Sequence, residues 1–154
     1  MKRRTLGLVG AGAAAVLAMG LTAAPAQAHS TDDWITTGDW AHVPGNRDAN
    51  LNWGGVAKGK VMINWDGTYV EVKGEITDTK VDGLCAIAQI RYEVKTNGAW
   101  AGHWHYRSTV VDCSNGNGAA SPISKGRYPT RNLSARACVG DAKGATTRCE
   151  GTWH

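Results

Sequence analysis

Phenylalanine is absent from the 154-residue chain, whereas tryptophan is abundant, with 7 Trp beside 4 Tyr. The aromatic packing of any core must therefore come from rings that also carry a polar N–H or O–H group. Residues 29–154 also carry almost no net charge, because three of the 17 basic residues lie within residues 1–28 and leave 14 against 13 acidic residues. So small an excess gives no general attraction to nucleic acid or to anionic membranes.

The sequence also lacks the short motifs of common catalytic sites. It contains no G-x-S-x-G, no H-E-x-x-H, no phosphate-binding loop and no glycine-rich dinucleotide turn. Glu71 and Glu75 stand four residues apart in a strand-like segment, which is the pattern of a solvated face rather than of a glycosidase pair. We therefore expect a protein that is not an enzyme.

Metal ligands are few and badly spaced. No two of the 4 cysteines have the C-x-x-C spacing of a zinc ribbon. His103 and His105 would point to the same side of a strand, beside Arg107 on a solvent face. An amino-terminal His29 with either of them resembles the copper brace of lytic polysaccharide monooxygenases, but no axial ligand is in view. We expect neither a metal nor a cofactor.

One long apolar run is present, and it lies at the amino terminus. The basic residues Lys2–Arg4 precede the run Leu6–Leu21, and small residues occupy the cleavage positions of Ala26–Ala28. This arrangement is typical of a secretory signal peptide. No second run approaches the roughly 20 residues that span a bilayer. We predict cleavage after Ala28 and a secreted, extracellular mature chain that starts at His29 and has no membrane anchor.

The four cysteines predict two disulfides, because an even number outside the cell usually pairs. Symmetric pairing of the last hairpin places Cys138 opposite Cys149. A wide loop from Thr96 to Gly102 places Cys85 opposite Cys113, whereas a tight turn at Asn97 and Gly98 would not. We predict the Cys85–Cys113 and Cys138–Cys149 bridges.

Apolar and polar residues alternate from about residue 58 onward, which is the period of β-strands. The predicted strands are Lys60–Trp65, Thr68–Thr77, Leu84–Lys95, Trp100–Cys113, Asn132–Val139 and Thr146–Trp153. The first two strands flank a tight turn at Asp66 and Gly67, and 114–131 is rich in Gly, Ser and Asn and is predicted to be a long connection. The fold class is therefore all-β, a small antiparallel β-sandwich over 58–154 with two disulfides.

The segment 29–57 shows no sustained period, and we predict an irregular amino-terminal arm there. It holds three tryptophans among acidic residues, and exposed Trp is enriched at binding sites. We predict that an extracellular protein partner contacts this arm. The predicted contact residues are Asp32, Asp33, Trp34, Trp40 and Trp53. The alternative interpretation is that the arm folds back over the sheet and buries its rings.

Two other functions fit the same composition. In a carbohydrate- or cell-wall-binding module, the tryptophans of irregular segments would stack on the sugars of a polysaccharide. Those residues are Trp34, Trp40, Trp53 and Trp100. In a proteinase inhibitor, the long connection would present Lys125 or Arg127 to a trypsin-like cleft.

The Arg-started, Ala- and Gly-rich leader resembles those of proteins exported by filamentous actinobacteria. The segments around the cysteines resemble small disulfide-bonded β proteins of the same bacteria. These segments are Asp82–Cys85, Asp112–Cys113, Ala137–Val139 and Cys149–Trp153. In size, secretion and amino-terminal extension the chain resembles the adaptor subunit of their umbrella-shaped antibacterial toxin particles. That resemblance implies a compact β domain that joins a lectin-like subunit to a stalk.

Overall fold

A computed structural model of the protein describes residues 33–38, 47–66 and 69–154. The strands in these ranges are β1 (Trp34–Thr37), β2 (Arg47–Trp53), β3 (Ala57–Asp66), β4 (Tyr69–Asp78), β5 (Cys85–Thr96), β6 (Ala99–Trp100), β7 (His105–Asp112), β8 (Ala119–Ala120), β9 (Ile123–Gly126), β10 (Thr130–Gly140) and β11 (Thr146–Cys149). Over the part of the chain so described, no helix is long and apolar enough to cross a membrane.

The strands form two antiparallel sheets. Sheet A has six strands in the order β1-β9-β4-β3-β2, with β8 also paired to β4. Sheet B has five strands in the order β11-β10-β5-β6, with β7 also paired to β5. The expected all-β, antiparallel fold class is confirmed.

The core lies between the sheets and follows from the alternation of the strands. Val61 and Ile63 of β3 and Ala88 and Ile90 of β5 are fully buried, because alternate residues of a strand point to the same face. Tyr92 continues this row on β5 and is also buried. The inward faces predicted from the period-2 pattern are therefore the observed ones in β3 and β5, whereas in β7 His105, predicted on the solvent face, is buried.

The carboxyl-terminal tail covers the outer face of sheet B. Its Trp153 ring lies between two guanidinium groups, with the Cζ of Arg91 4.4 Å and that of Arg136 4.2 Å from the ring centroid. Arg91 also stacks on Trp104, at 4.5 Å. Since cation–π contacts gain strength when they are shielded from water, this ladder fixes the tail against the sheet.

Both predicted disulfides are present. Cys85 bonds Cys113, and Cys138 bonds Cys149. The loop predicted over Thr96–Gly102 is wrong, since β5 turns tightly into β6, where Thr96 pairs with Ala99. The bridge still forms, because the chain leaves the sheet after β6 and a bulge in the β5–β7 pairing shifts the register further.

The arm predicted to be irregular over 29–57 contains two strands. β1 pairs with β9 and β2 pairs with β3, so the edges of sheet A come from this segment. The connection predicted over 114–131 likewise contains β8 and β9. The tertiary pairing with β4 outweighs the weak strand propensity of these Gly- and Ser-rich residues. The first hairpin connection is 67–68, one residue later than predicted, because Asp66 pairs with Tyr69.

Asp112 joins the ends of the two sheets. Its buried carboxylate accepts hydrogen bonds from the backbone N–H of Asp78 at 2.8 Å and of Ser114 at 3.0 Å, and from the Ser114 hydroxyl. Burial by itself favours the neutral acid. Hydrogen bonds from Ser114, Asp78 and Gly118 nevertheless outweigh burial and hold the pKa of Asp112 below its ordinary value.

We predict that Asp112→Asn destabilises the protein at neutral pH by about 1–3 kcal/mol, because a buried charged acceptor is lost. A pKa that is lower in the folded chain gives stability that is present above the ordinary value of 3.8 and is lost as the pH falls through the folded value. The difference from wild type should therefore shrink in acid.

Urea unfolding between pH 7 and pH 3 measures this effect. Asp48→Asn changes an exposed aspartate of β2 and is the matched control. A constant difference between wild type and Asp112→Asn across the acid range would contradict the assignment.

Candidate functional site

A buried carboxylate fixes the start of β1 against sheet B. Asp33 Oδ2 accepts a hydrogen bond from the Tyr92 hydroxyl at 3.1 Å and from His105 Nδ1 at 2.8 Å. Since a carboxylate only accepts, Nδ1 of His105 carries the proton in this pair. The Asp33 carbonyl also accepts from the backbone N–H of Arg127, at 2.7 Å. Asp33 thus connects β1, β5, β7 and the residues that follow β9.

The environment of Tyr92 keeps its hydroxyl protonated, so that it donates a hydrogen bond to Asp33. Burial, with a further contribution from the Asp33 carboxylate, raises the pKa of Tyr92 well above its ordinary value of 10.0. The edge of the Tyr92 ring meets Trp34 with the ring centroids 5.2 Å apart and the planes at 89°. Trp34 is only 1% exposed and belongs to the core. Tyr92 and Trp34 therefore join the two sheets by packing as well as by hydrogen bonding.

The residues predicted to contact a partner do not form one exposed surface. Trp34 and Asp33 are buried, and Trp53 is half-buried against the core with Arg148 over its ring at 5.2 Å. Asp32 and Trp40 lie outside the described residues. At Trp34 the alternative interpretation is correct, because the ring folds back over the sheet. The prediction of Trp34 and Asp33 as contact residues is wrong in this structure, since the core takes both side chains.

The remaining tryptophan proposed for sugar stacking is Trp100. It lies half-buried in β6 rather than in a loop, and the Arg131 guanidinium covers its ring at 4.2 Å. Arg131 is held in place by Glu93, at 2.7 Å. Trp100 therefore has one face already occupied by a neighbour of its own chain.

The two histidines lie together beside Asp33. Their rings stack with centroids 4.9 Å apart, and they line a small cavity of about 150 Å³ with Tyr128. The expectation that both lie on a solvent face is wrong for His105, which is only 8% exposed because Asp33 binds it. Within residues 33–38, 47–66 and 69–154 there is no group of three His, Cys, Asp or Glu side chains that could hold a metal ion.

Of the basic residues proposed for an inhibitory loop, Lys125 lies in β9 and Arg127 lies in the exposed connection between β9 and β10. Lys125 pairs with Ile35 on one side and with Glu71 on the other. Arg127 donates from Nε to the Trp34 carbonyl, at 3.4 Å. Lys125 is therefore held in a paired strand, whereas Arg127 lies in a short exposed connection.

β1 leaves one edge of sheet A open, since among the described residues it pairs only with β9. The bond from Arg127 N–H to the Asp33 carbonyl marks that pair as hydrogen-bonded. In an antiparallel ladder, hydrogen-bonded pairs alternate with non-bonded ones. The backbone N–H and C=O of Ile35 therefore point toward β9, and those of Thr36 point outward. Thr36 is exposed, and its outward N–H and C=O pair with no other strand among the described residues.

An apolar and cationic patch adjoins this edge on the outer face of sheet A. Ile35 is 38% exposed and Tyr69 40% exposed. Lys125, beside Ile35 in the register, lies 5.8 Å from the centre of the Tyr69 ring. Large apolar side chains grouped around a cation are more typical of an interface than of a solvated face.

A polar groove crosses the opposite half of the same face. It has a volume of about 700 Å³ and lies over β2, β3, β4 and β8. The register places Asn50 beside Lys60, and Lys60 beside Glu75. In the next row outward, Asn52 and Thr77 flank Lys58. The groove is therefore lined by side chains that can both donate and accept hydrogen bonds.

Comparison with protein-family models, with curated proteins and with solved structures finds no match to this chain.

Sequence reasoning missed β1 although a signal was present. Trp34 is followed by Ile35 and two threonines, all residues that favour strands, but the run is only four residues long. The groove was missed for another reason. Its walls come from segments far apart in sequence, and only the sheet register brings them together.

We predict that Asp33→Ala destabilises the protein by about 1–3 kcal/mol for each buried donor that loses its acceptor. Tyr92→Phe removes only one of these hydrogen bonds to Asp33 and should cost about 1 kcal/mol. Urea unfolding measures both, and Asp48→Ala, at an exposed position of β2, is the control. Equal stabilities of Asp33→Ala and Asp48→Ala would show that the network does not hold β1.

Proposed function

We propose that the protein is a secreted, non-enzymatic adaptor that binds an extracellular protein partner through the edge of β1. The observation that carries this proposal is the open edge at Thr36 beside the exposed side chains of Ile35 and Tyr69. The partner adds a strand to sheet A and places apolar side chains on the patch.

The edge is suited to strand addition because it is held rigid before binding. Trp34 is locked in the core and Asp33 is bonded to two other strands. A segment that is already extended and fixed loses little conformational entropy when a partner strand joins it. The resulting backbone hydrogen bonds supply affinity, and the neighbouring side chains supply specificity.

The patch supports a protein rather than a sugar as the ligand at this edge. Ile35 and Tyr69 provide apolar area, and Lys125, opposite Glu71 in the register, places a cation beside the Tyr69 ring. Such a mixture of aromatic, aliphatic and cationic groups is common in protein interfaces. In an umbrella-shaped toxin particle, the partner would be a neighbouring subunit.

We predict that Thr36→Pro abolishes partner binding, because proline removes the outward N–H of β1. Thr36→Val keeps the N–H and the strand propensity and should bind like wild type. Proline is tolerated on an edge strand when its nitrogen faces away from the ladder, so both variants should fold. The measurement is affinity capture from culture supernatant of the producing organism, followed by mass spectrometry.

Thermal melting and near-ultraviolet circular dichroism verify that both variants are folded. A folded Thr36→Pro that recovers the same proteins as Thr36→Val would contradict the edge as the binding site. Recovery of no protein by wild type at native concentrations would remove the adaptor function itself.

A further inference from the structure

We infer that the groove over β2, β3, β4 and β8 binds a polyhydroxylated ligand that carries an anionic group, such as a segment of an acidic cell-envelope polysaccharide. This site is separate from the β1 edge, and the inference stands without the adaptor function. It uses none of the described tryptophans that the sequence suggested for sugar stacking, because no aromatic side chain of residues 33–38, 47–66 or 69–154 lines the groove.

The floor of the groove is backbone rather than side chain. Gly59, Gly118, Ala119 and Ala120 line it, and the inward-pointing Leu51 and Ile76 bury their side chains in the core. At Gly59 a Cβ would lie only 2.1 Å from the Glu75 carbonyl oxygen, so a side chain there is not tolerated. Gly59 thus allows β3 and β4 to lie close together, and the short residues 118–120 leave backbone accessible at the bottom of the groove.

The walls are polar on every side. Asn50, Asn52 and Asn117 provide amides, Thr77 provides a hydroxyl and Glu75 provides a carboxylate. Amides and hydroxyls donate and accept at the same time, which is the pattern that vicinal sugar hydroxyls require. A bare phosphate would gain nothing from the carboxylate.

The charges favour one anionic group on the ligand. Glu75 lies 3.8 Å from the ammonium groups of both Lys60 and Lys73, so its charge is already matched. Lys58 makes no ion pair with any other described residue, and it is exposed in the row next to that of Lys60. A carboxylate or phosphate of the ligand would accept a charge-assisted hydrogen bond from the Lys58 ammonium group.

The size of the groove agrees with an oligosaccharide segment. Its volume of about 700 Å³ falls within the roughly 300–1,000 Å³ of small-ligand sites. The groove is open, so a long polymer can run across the four strands without a free end. A polysaccharide therefore fits better than an isolated monosaccharide.

The test is calorimetric titration of the mature protein with three probes. Oligogalacturonate carries carboxylates, a glycerol-phosphate oligomer carries phosphates, and cellohexaose is neutral. We expect binding of at least one anionic probe and weaker binding of cellohexaose. The anionic probe that binds more tightly shows whether the natural ligand carries carboxylates or phosphates. The affinity for that probe should fall with added salt.

Two pairs of variants locate the site. Ala120→Tyr fills the groove from an exposed position of the two-residue strand β8, and Ala99→Tyr makes the same change in the two-residue strand β6 of sheet B. Lys58→Gln removes the free charge, and Lys143→Gln removes an exposed charge from the β10–β11 turn. We expect about a tenfold loss of affinity for Lys58→Gln, the equivalent of about 1.4 kcal/mol, and at least as large a loss for Ala120→Tyr.

Wild-type affinity for the probes should remain in Ala99→Tyr and Lys143→Gln. The inference is overturned if wild type binds none of the three probes, or if Ala120→Tyr binds as well as Ala99→Tyr. It is also overturned if cellohexaose binds as tightly as both anionic probes and Lys58→Gln has no effect.

Discussion

The carboxylate of Asp33 is the contact on which the arrangement of the sandwich edge depends. One buried oxygen holds Tyr92 of β5 and His105 of β7, and the same residue continues directly into β1. Leaving a buried charge without its donors is far more costly than an ordinary lost hydrogen bond, so β1 has one favourable position. The position of the sheet edge, and of the surface beside it, follows from this contact.

Asp112 plays the corresponding part at another junction of the sheets. Its carboxylate accepts hydrogen bonds from backbone N–H groups at the end of β4 and in the turn after β7, next to the Cys85–Cys113 bridge. Both aspartates are buried, and each links one sheet to the other through hydrogen bonds rather than by apolar packing alone. Because hydrogen bonds are directional, they fix the relative placement of the sheets more narrowly than an apolar core of small residues would.

Much of the core could be predicted from the sequence because apolar and polar residues alternate along β3, β4 and part of β5, and symmetric pairing of the β10–β11 hairpin places Cys138 opposite Cys149. The edges could not be predicted in this way. β1 and β9 are short, and their formation depends on pairing with strands distant in sequence. The groove depends on the same long-range register, since Asn50, Lys60 and Glu75 become neighbours only when β2, β3 and β4 align.

Both disulfides lie in or directly beside sheet B, and neither crosses to sheet A. The two halves of the sandwich therefore differ in how they can open from the native state. Partial unfolding can separate the strands of sheet A while the cross-linked hairpins of sheet B stay paired. Amide protons of β2, β3 and β4 would then exchange through openings of lower free energy than those of β5 and β10, and the groove proposed as a binding site belongs to this more readily opened part.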